Sequence, residues 1–239
     1  GGTAGELTRW FGIRPRTAIT VLDTHDGIGV IDAGPSSPDD PDSGLLDAAS
    51  IDALVEGIHE QSGGASRAAT GAAADNLDLY QVNCTYFDAL GRDETAYLLA
   101  RLIQFFAPGI PQVYYVGLLA GGNDMDLFSR TRVGRDINRH FYSRDEIDQA
   151  LGQRVVMRLI ELIRFRNAHP AFAGEFEMRE SSETELHIRR WKKDAAVEIL
   201  IDFGSRSFQL TSTLAGDTRV VRDFDRVPSL LRDLRSQGA

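Results

Sequence analysis

His25 and Asp26 stand out in the segment TVLDTHDGIGVID, residues 20–32, because they follow an apolar run and precede two glycines. A carboxylate and an imidazole at the end of a strand could bind sugar hydroxyls, ligate a metal ion or take part in proton transfer. The alternative is a turn in which both side chains only satisfy backbone donors. Catalytic groups of α/β barrels lie at the C-terminal ends of the strands, and this position favours a functional role.

A second polar cluster is the segment GRDINRHFY, residues 134–142, which follows a loop and precedes a predicted helix that begins near Ser143. The guanidinium of Arg135 can bind a carboxylate or a pair of hydroxyls through two hydrogen bonds. For Arg139 and His140 we predict a structural role instead, in an Arg–Asp network under the loop.

A third candidate is the segment NLDLYQVN, residues 76–83, at the end of a stretch of small and polar residues. Its Asp78, Tyr80 and Gln81 are of types that can bind sugar hydroxyls. Composition alone leaves a binding loop and a solvated loop equally open.

Other patterns do not support a cofactor or a metal. Gly27 and Gly29 are two residues apart, but the third glycine of a dinucleotide-binding fingerprint is replaced by Asp32, so we interpret both as turn residues. The acidic stretches 38–42 and 122–126 lack the spacing of a calcium loop and are predicted to be solvated. We therefore predict neither a metal ion nor a cofactor. A retaining glycosidase needs two carboxylates about 5 Å apart, and Asp26 is the one candidate that we find at a strand end.

Charge and cysteine content limit the partners and the location. The chain of 239 residues carries a net charge of −9 and no long basic block, which argues against nucleic acid as a partner. No apolar run approaches the ~20 residues of a membrane span, so no membrane partner is expected. The single cysteine, Cys84, excludes an internal disulfide and is typical of a cytoplasmic protein.

Hydrophobic patterns predict alternating strands and helices over the first 170 residues. Strands buried on both faces are expected over 17–23 and 112–117. Helices are expected from an N-cap at Ser50, with an apolar stripe that includes Leu54, and over 94–106 and 147–166, while 62–76 is expected to be mobile. Beyond residue 173, short alternating runs predict a small antiparallel β domain.

This order of elements predicts an α/β fold, but an incomplete barrel. A full (β/α)8 barrel needs eight strand–helix units and ~250 residues, and only two units fit before the β-rich tail. The chain also opens on GGTAGELTRWFG, without a methionine, and this stretch has the pattern of a helix-to-strand connection. We therefore expect a fragment: the C-terminal part of a (β/α)8 barrel with an inserted lid-like subdomain, followed by the small antiparallel β domain.

Taken together, four segments closely resemble the sucrose phosphorylase family of the α-amylase-type clan. They are TVLDTHDGIGVID, TGAAADNLDLYQVN, APGIPQVYYVGLLAGGND and GRDINRHFY, and the similarity runs from about residue 17 to 170 in order. The last two are much more specific than the His-Asp pair, which many relatives share. The resemblance implies a glucosyl transfer from sucrose to inorganic phosphate by double displacement, with neither cofactor nor metal.

The resemblance also implies roles for individual residues. Asp26 would be the carboxylate that stabilises the transition state by binding two glucosyl hydroxyls. His25 and Arg135 would hold other parts of the same glucosyl ring. The residues of the third segment would form the acceptor loop: Asp78 and Gln81 would contact the fructosyl group, and Leu79 and Tyr80 would move to admit phosphate.

The same comparison implies a domain division and a missing part. Residues 1–26 would hold the end of barrel helix 6 and strand 7, 27–90 the inserted subdomain, 91–170 the remaining barrel helices and strand 8, and 171–239 the β domain. The nucleophilic Asp and the acid/base Glu of the family lie on earlier strands. We therefore expect the full-length parent to be the enzyme and this chain to be inactive alone. Exposed strand edges of the chain would also allow a homodimer.

Three alternatives remain open. A sucrose 6-phosphate phosphorylase would need a cation near the acceptor loop to bind the sugar phosphate. Arg67 could be that cation, so this alternative remains open. A non-catalytic scaffold of the amylase fold would be expected to have lost residues such as His25, Asp26 and Arg135. Plain hydrolysis or transglycosylation differs from phosphorolysis only in how the acceptor site is built.

Overall fold

The computed structural model describes residues 3–35, 39–40, 43–70 and 81–237. Its α-helices are α1 Gly5–Ile13, α2 Ala48–Gln61, α3 Ala65–Thr70, α4 Tyr86–Ala89, α5 Glu94–Phe106, α6 Tyr115–Leu118, α7 Met125–Thr131, α8 Arg144–Leu151, α9 Arg154–Ala168 and α10 Val227–Gln237. Its strands are β1 Ile19–Thr20, β2 Ile110–Pro111, β3 Glu175–Arg179, β4 Glu185–Lys192, β5 Ala195–Asp202, β6 Ser207–Leu214 and β7 Asp217–Val221. Short 3₁₀ helices cover Ile31–Ala33, Gly134–Asn138, Pro170–Ala173 and Phe224–Arg226.

The described residues form two compact units, and each draws on separate parts of the chain. One unit lies within Gly1–Thr20, Leu98–Pro111 and Met157–Ala239, and the other within Val21–Tyr97 and Gln112–Val156. No helix in the described part of the chain is long and apolar enough to cross a membrane.

The first unit contains an antiparallel sheet in which β3, β4, β5, β6 and β7 are neighbours in chain order. Ile188 lies opposite Ile199, and Ile199 opposite Leu210, and all three are fully buried on one face. This alternation of buried and exposed residues is what the sequence predicts, and the small antiparallel β domain is confirmed. Strand β7 was not predicted, because its first four residues are exposed and give no alternation.

The buried Arg190 of β4 binds a group of main-chain carbonyls in the same unit. Its residue is 4% exposed, and its guanidinium donates to carbonyl oxygens at 2.7–3.5 Å. The acceptors are Phe106, Ala107, Phe172, Gly174 and Glu175. Burial lowers the pKa of Arg190 to about 10. One side chain therefore satisfies carbonyls from the end of α5, the Pro170–Ala173 turn and the start of β3.

The first unit also contains the parallel pair β1 and β2, in which Ile19 lies opposite Ile110. The strand predicted over 17–23 is real but much shorter, and Ile19 is 60% exposed instead of buried. The strand predicted over 112–117 is wrong, because β2 ends at Pro111 and the chain forms α6 from Tyr115. A short apolar run has no period that separates a strand from a buried helix.

The predicted helices are present, with corrected ends. The helix over 94–106 is confirmed as α5. The N-cap of α2 is Asp47 and not Ser50, since the Asp47 carboxylate accepts from the Ser50 amide at 2.7 Å, and Leu54 is 45% exposed instead of buried. The helix predicted over 147–166 is two helices, α8 and α9, with Gly152 at the C-cap of α8.

Part of the segment predicted to be mobile is helical. Residues 65–70 form α3, in which Ser66 and Ala69 are buried. The hydroxyl of Ser66 lies 2.7 Å from Nδ1 of His59 in α2, and this contact joins the two helices. Alanine-rich sequence favours a helix when such a contact supports it. Residues 71–76 lie outside the described residues.

Candidate active site

The carboxylate of Asp26 lies among two arginine side chains and one histidine side chain. Its Oδ1 is 2.8 Å from Nη1 of Arg135, 3.5 Å from Nη2 of Arg139 and 3.5 Å from Nε2 of His25. The side chain of Asp26 is 28% exposed and that of His25 is 67% exposed. The carboxylate is thus oriented by the guanidinium groups but remains within reach of a ligand, and the imidazole beside it is open to solvent.

The main chain of residues 24–26 is held by side chains of the GRDINRHFY segment. Nδ2 of Asn138 donates to the carbonyl of Thr24, and Nε of Arg139 donates to the carbonyl of His25 at 2.7 Å. The amide of Asp26 donates to the Thr24 hydroxyl at 3.2 Å. Asn138, Arg135 and Arg139 therefore bind the backbone just before Asp26 and the Asp26 carboxylate itself.

Arg139 has a larger part in this site than the sequence predicts. Its Nη1 is 3.3 Å from Asp136 Oδ1, which confirms the predicted Arg–Asp network. The same guanidinium also reaches Asp26 and His25, which the sequence analysis missed. The signal that could have found it is the spacing within one short segment, where Arg135 and Arg139 flank a tight 3₁₀ turn.

Two adjacent tyrosines of the second unit support this segment. The hydroxyl of Tyr114 donates to the carbonyl of Asn138 at 3.2 Å, and that of Tyr115 donates to the carbonyl of His140 at 2.9 Å. Burial raises the pKa of Tyr114 well above its usual value, so this hydroxyl stays protonated. The strand predicted over 112–117 gave no indication that these two hydroxyls would bind carbonyls of the GRDINRHFY segment.

The chain after Asp26 crosses residues 81–83, the described end of the NLDLYQVN segment. Ile28 and Val82 form an isolated antiparallel bridge, with N–O distances of 3.0 and 2.9 Å. Gly27 has a φ of +152°, and a Cβ built on it would lie 2.9 Å from the Val82 carbonyl oxygen and 3.4 Å from Oε1 of Gln81. The positive φ and the close approach agree with the interpretation of Gly27 as a residue needed for its backbone conformation.

The structure brings four of the predicted site residues into one region. His25 and Arg135 each contact the carboxylate of Asp26, and Gln81 lies beside Gly27. Asp78, Leu79 and Tyr80 lie outside the described residues. The roles assigned to all seven remain predictions.

The prediction that the acidic stretch at 122–126 is only solvated is wrong, because Asp124 makes structural contacts. The Asp124 carboxylate caps α7 by accepting from the Leu127 amide at 2.7 Å, and it contacts His140 at 2.6 Å. The structural role predicted for His140 is confirmed by this ion pair. Among the described residues, no group of three or more His, Cys, Asp and Glu side chains is arranged to hold a metal ion.

The close crossing at Gly27 leads to a first prediction. Gly27→Ala is expected to destabilise the protein by about 2 kcal/mol, because the methyl group would meet the Val82 carbonyl and the φ is unfavourable for alanine. Urea unfolding measures the change. Gly57→Ala in α2 is the matched control: no atom lies within 4 Å of the added methyl group, and a gain of about 0.5–1 kcal/mol is expected. Equal effects of the two substitutions would contradict the crossing.

Comparison with known proteins gives a consistent result. No model of a known protein family matches the chain. It is 58% identical over 213 residues to a sucrose phosphorylase of Agrobacterium vitis, covering 89% of this chain and 43% of that protein. It is 53% identical over 185 residues to a sucrose phosphorylase of Bifidobacterium adolescentis, covering 77% of this chain and 37% of that protein.

A solved structure agrees with these relatives. The crystal structure of sucrose 6F-phosphate phosphorylase from Thermoanaerobacter thermosaccharolyticum matches with a TM-score of 0.79 and 38% identity, covering 93% of this chain and 43% of that one. The chain thus spans about two fifths of the length of the relatives that it matches. The predicted resemblance is confirmed: the chain is homologous to sucrose phosphorylases over most of its length.

Proposed function

We propose, from the homology to sucrose phosphorylases, that this chain is the C-terminal part of a retaining glucoside phosphorylase. The full-length enzyme would transfer a glucosyl group from sucrose to inorganic phosphate and release fructose and glucose 1-phosphate. In the double displacement, an enzyme carboxylate displaces fructose from the anomeric carbon, and phosphate then displaces that carboxylate. This chain would supply the carboxylate that stabilises both transition states.

The contact between Arg135 and Asp26 carries this proposal. Positive charge develops on the anomeric carbon as the leaving group departs, and a carboxylate fixed nearby is worth most when it does not need to reorient. Arg135 and Arg139 hold Asp26 in one orientation without burying it. Hydrogen bonds from the glucosyl hydroxyls to Asp26 would strengthen as the ring becomes oxocarbenium-like, and His25 would bind a neighbouring hydroxyl.

The parallel pair β1 and β2 would be two adjacent strands of a (β/α)8 barrel. Asp26 would then lie beyond the C-terminal end of strand 7, and the segment with Arg135 beyond strand 8, at the rim where barrel active sites are built. The division at residues 26, 90 and 170 belongs to the same proposal, with 27–90 as the inserted subdomain that carries the acceptor loop.

Sucrose is favoured over sucrose 6-phosphate by the state of Arg67. Its guanidinium is hydrogen-bonded to Glu56, and this contact raises the pKa of Arg67 and neutralises its charge locally. A phosphorylated fructosyl group would need an uncommitted cation near the acceptor loop. Asp78 and Gln81 would instead contact an uncharged fructosyl group, and Leu79 and Tyr80 would admit phosphate.

Turnover tests the proposal directly. A full-length protein that contains this chain is expected to release glucose 1-phosphate from sucrose and phosphate, with a higher kcat/KM for sucrose than for sucrose 6-phosphate. The 239-residue chain by itself is expected to be inactive, because the nucleophile and the acid/base would come from elsewhere. Glucose release without phosphate consumption would favour a hydrolase, and full activity of the chain alone would disprove the division of catalytic groups.

A further inference from the structure

His140 has a carboxylate on each of its two ring nitrogens. Nδ1 lies 2.6 Å from Oδ2 of Asp124, and Nε2 lies 3.1 Å from Oε1 of Glu146. A neutral imidazole has one N–H and one lone pair, so it can donate to only one of these carboxylates and would place its lone pair against the other. Only the imidazolium donates to both, and the geometry therefore selects the protonated ring.

Both acceptors are fixed by the helices on which they lie. Asp124 is the N-cap of α7, and Glu146 forms a capping box with Ser143 at the start of α8, where the Ser143 amide donates to Oε2 at 2.6 Å. The ring of His140 thus joins two helix starts. A cation between two fixed carboxylates resists movement more than one that is paired with a flexible side chain.

His140 lies within the segment that contacts Asp26, directly after Arg139. Arg135 and Arg139 reach the Asp26 carboxylate from the same nine-residue segment, GRDINRHFY, in which His140 is the next residue after Arg139. The backbone of His140 is held as well, by the Tyr115 hydroxyl at 2.9 Å. We expect a shift of His140 to move the adjacent Arg139 and, through the 3₁₀ helix Gly134–Asn138, Arg135.

The groups that face His140 come from several elements. Burial alone would lower the pKa of His140, but its hydrogen bonds to Asp124 and Glu146 outweigh burial and raise it above the usual value. Tyr142 lies edge-on with its ring centre 4.5 Å away, and further groups line the adjoining cavity or act on Asp124: Arg92, Asp126 and Arg130. A raised pKa means that the contact is complete below the pKa of a free histidine and is lost as the pH rises through the raised value.

We propose that His140 is a positioning residue: its doubly hydrogen-bonded imidazolium fixes the GRDINRHFY segment so that Arg135 and Arg139 hold Asp26 in the orientation needed for glucosyl transfer. Its effect on catalysis rests on the proposed function, but its effect on the two arginines does not. In this proposal the ring acts through the segment and not on the substrate.

Nuclear magnetic resonance tests the coupling without any activity. In protein labelled on arginine and histidine, the guanidinium signals of Arg135 and Arg139 are expected to change with the same pH midpoint as His140. Asp124→Asn keeps a good N-cap but removes one negative charge, and it should lower both midpoints together by about one pH unit. His187→Gln is the matched control and should leave both midpoints unchanged, because His187 pairs with Glu198 at 3.3 Å in the β domain. Arginine signals that do not follow the His140 titration would overturn the proposal.

Kinetics of the full-length enzyme test the consequence. Asp124→Asn should lower kcat/KM more at the alkaline end of the pH profile than at pH 6, because the weakened contact is lost earlier as the pH rises. In an Arg135→Lys background the same substitution should have little further effect, whereas additive losses would indicate a merely structural role and overturn the proposal. An enzyme without phosphorolysis that still couples His140 to Arg135 would refute the proposed function and support this inference.

Discussion

Asp26→Asn is expected to lower the kcat of sucrose phosphorolysis about 10³-fold in a full-length enzyme that contains this chain. Asparagine has nearly the same shape, so substrate binding and folding should change little. The lost charge, however, is the one proposed to stabilise the oxocarbenium-like ring. Arg135 and Arg139 would then lose the carboxylate that both contact here. Glucose 1-phosphate formation at saturating sucrose and phosphate measures the effect.

Asp136→Asn provides the matched control for this prediction. Asp136 also pairs with Arg139, at 3.3 Å, and lies in the same segment, but it is not among the residues proposed to bind the sugar. Its replacement is expected to cost less than tenfold in kcat. If Asp26→Asn retained more than a tenth of the activity, or if both substitutions had equal effects, Asp26 would not be the stabilising carboxylate.

Arg190→Ala is expected to destabilise the protein by about 3–5 kcal/mol. The substitution would leave buried carbonyls of residues such as Phe106, Ala107 and Phe172 without their donor, and an unsatisfied buried carbonyl costs ~1–3 kcal/mol. The removed side chain would also leave a void next to the Phe172 ring, whose centre lies 6.0 Å from the guanidinium carbon. Urea unfolding of the purified protein measures the change.

The neighbouring Arg189 is the control. Its guanidinium pairs with Glu198 at 3.3 Å on the more exposed face of β4, where a surface ion pair contributes ~0–1 kcal/mol. Arg189→Ala should therefore cost less than 1 kcal/mol. Comparable losses at the two positions would mean that the carbonyl contacts of Arg190 contribute little.

Local patterns predicted the fold well where one face of an element is buried. Strands β4, β5 and β6 show the predicted alternation, because burial of one face imposes a period of 2. Helix α5 has its predicted bounds, 94–106, and is buried over most of its surface. The strand predicted over 112–117, around Tyr115, was wrong for the opposite reason. That run is apolar throughout, and its helical turn depends on contacts with distant residues, such as the Tyr115 hydroxyl with the His140 carbonyl.

The site was predictable in its residue types but not in its contacts. His25 and Asp26 are unusual at the end of an apolar run, and that local signal was sufficient to select them. Their partner Arg135 is 109 residues away, and only the resemblance to a known family joined the two segments before the structure was available. Arg139 was missed because its contact with Asp136 already explained its charge.

The bridge between Ile28 and Val82 limits how acceptor preference could be altered by design. The two segments share hydrogen bonds, and the backbone at Gly27 lies too close to the Val82 carbonyl to admit a methyl group. A replacement of residues 76–83 alone would therefore have to reproduce the Val82 carbonyl position. Residues 24–30 and 76–83 should therefore be exchanged together when the proposed acceptor specificity is moved from one such protein to another.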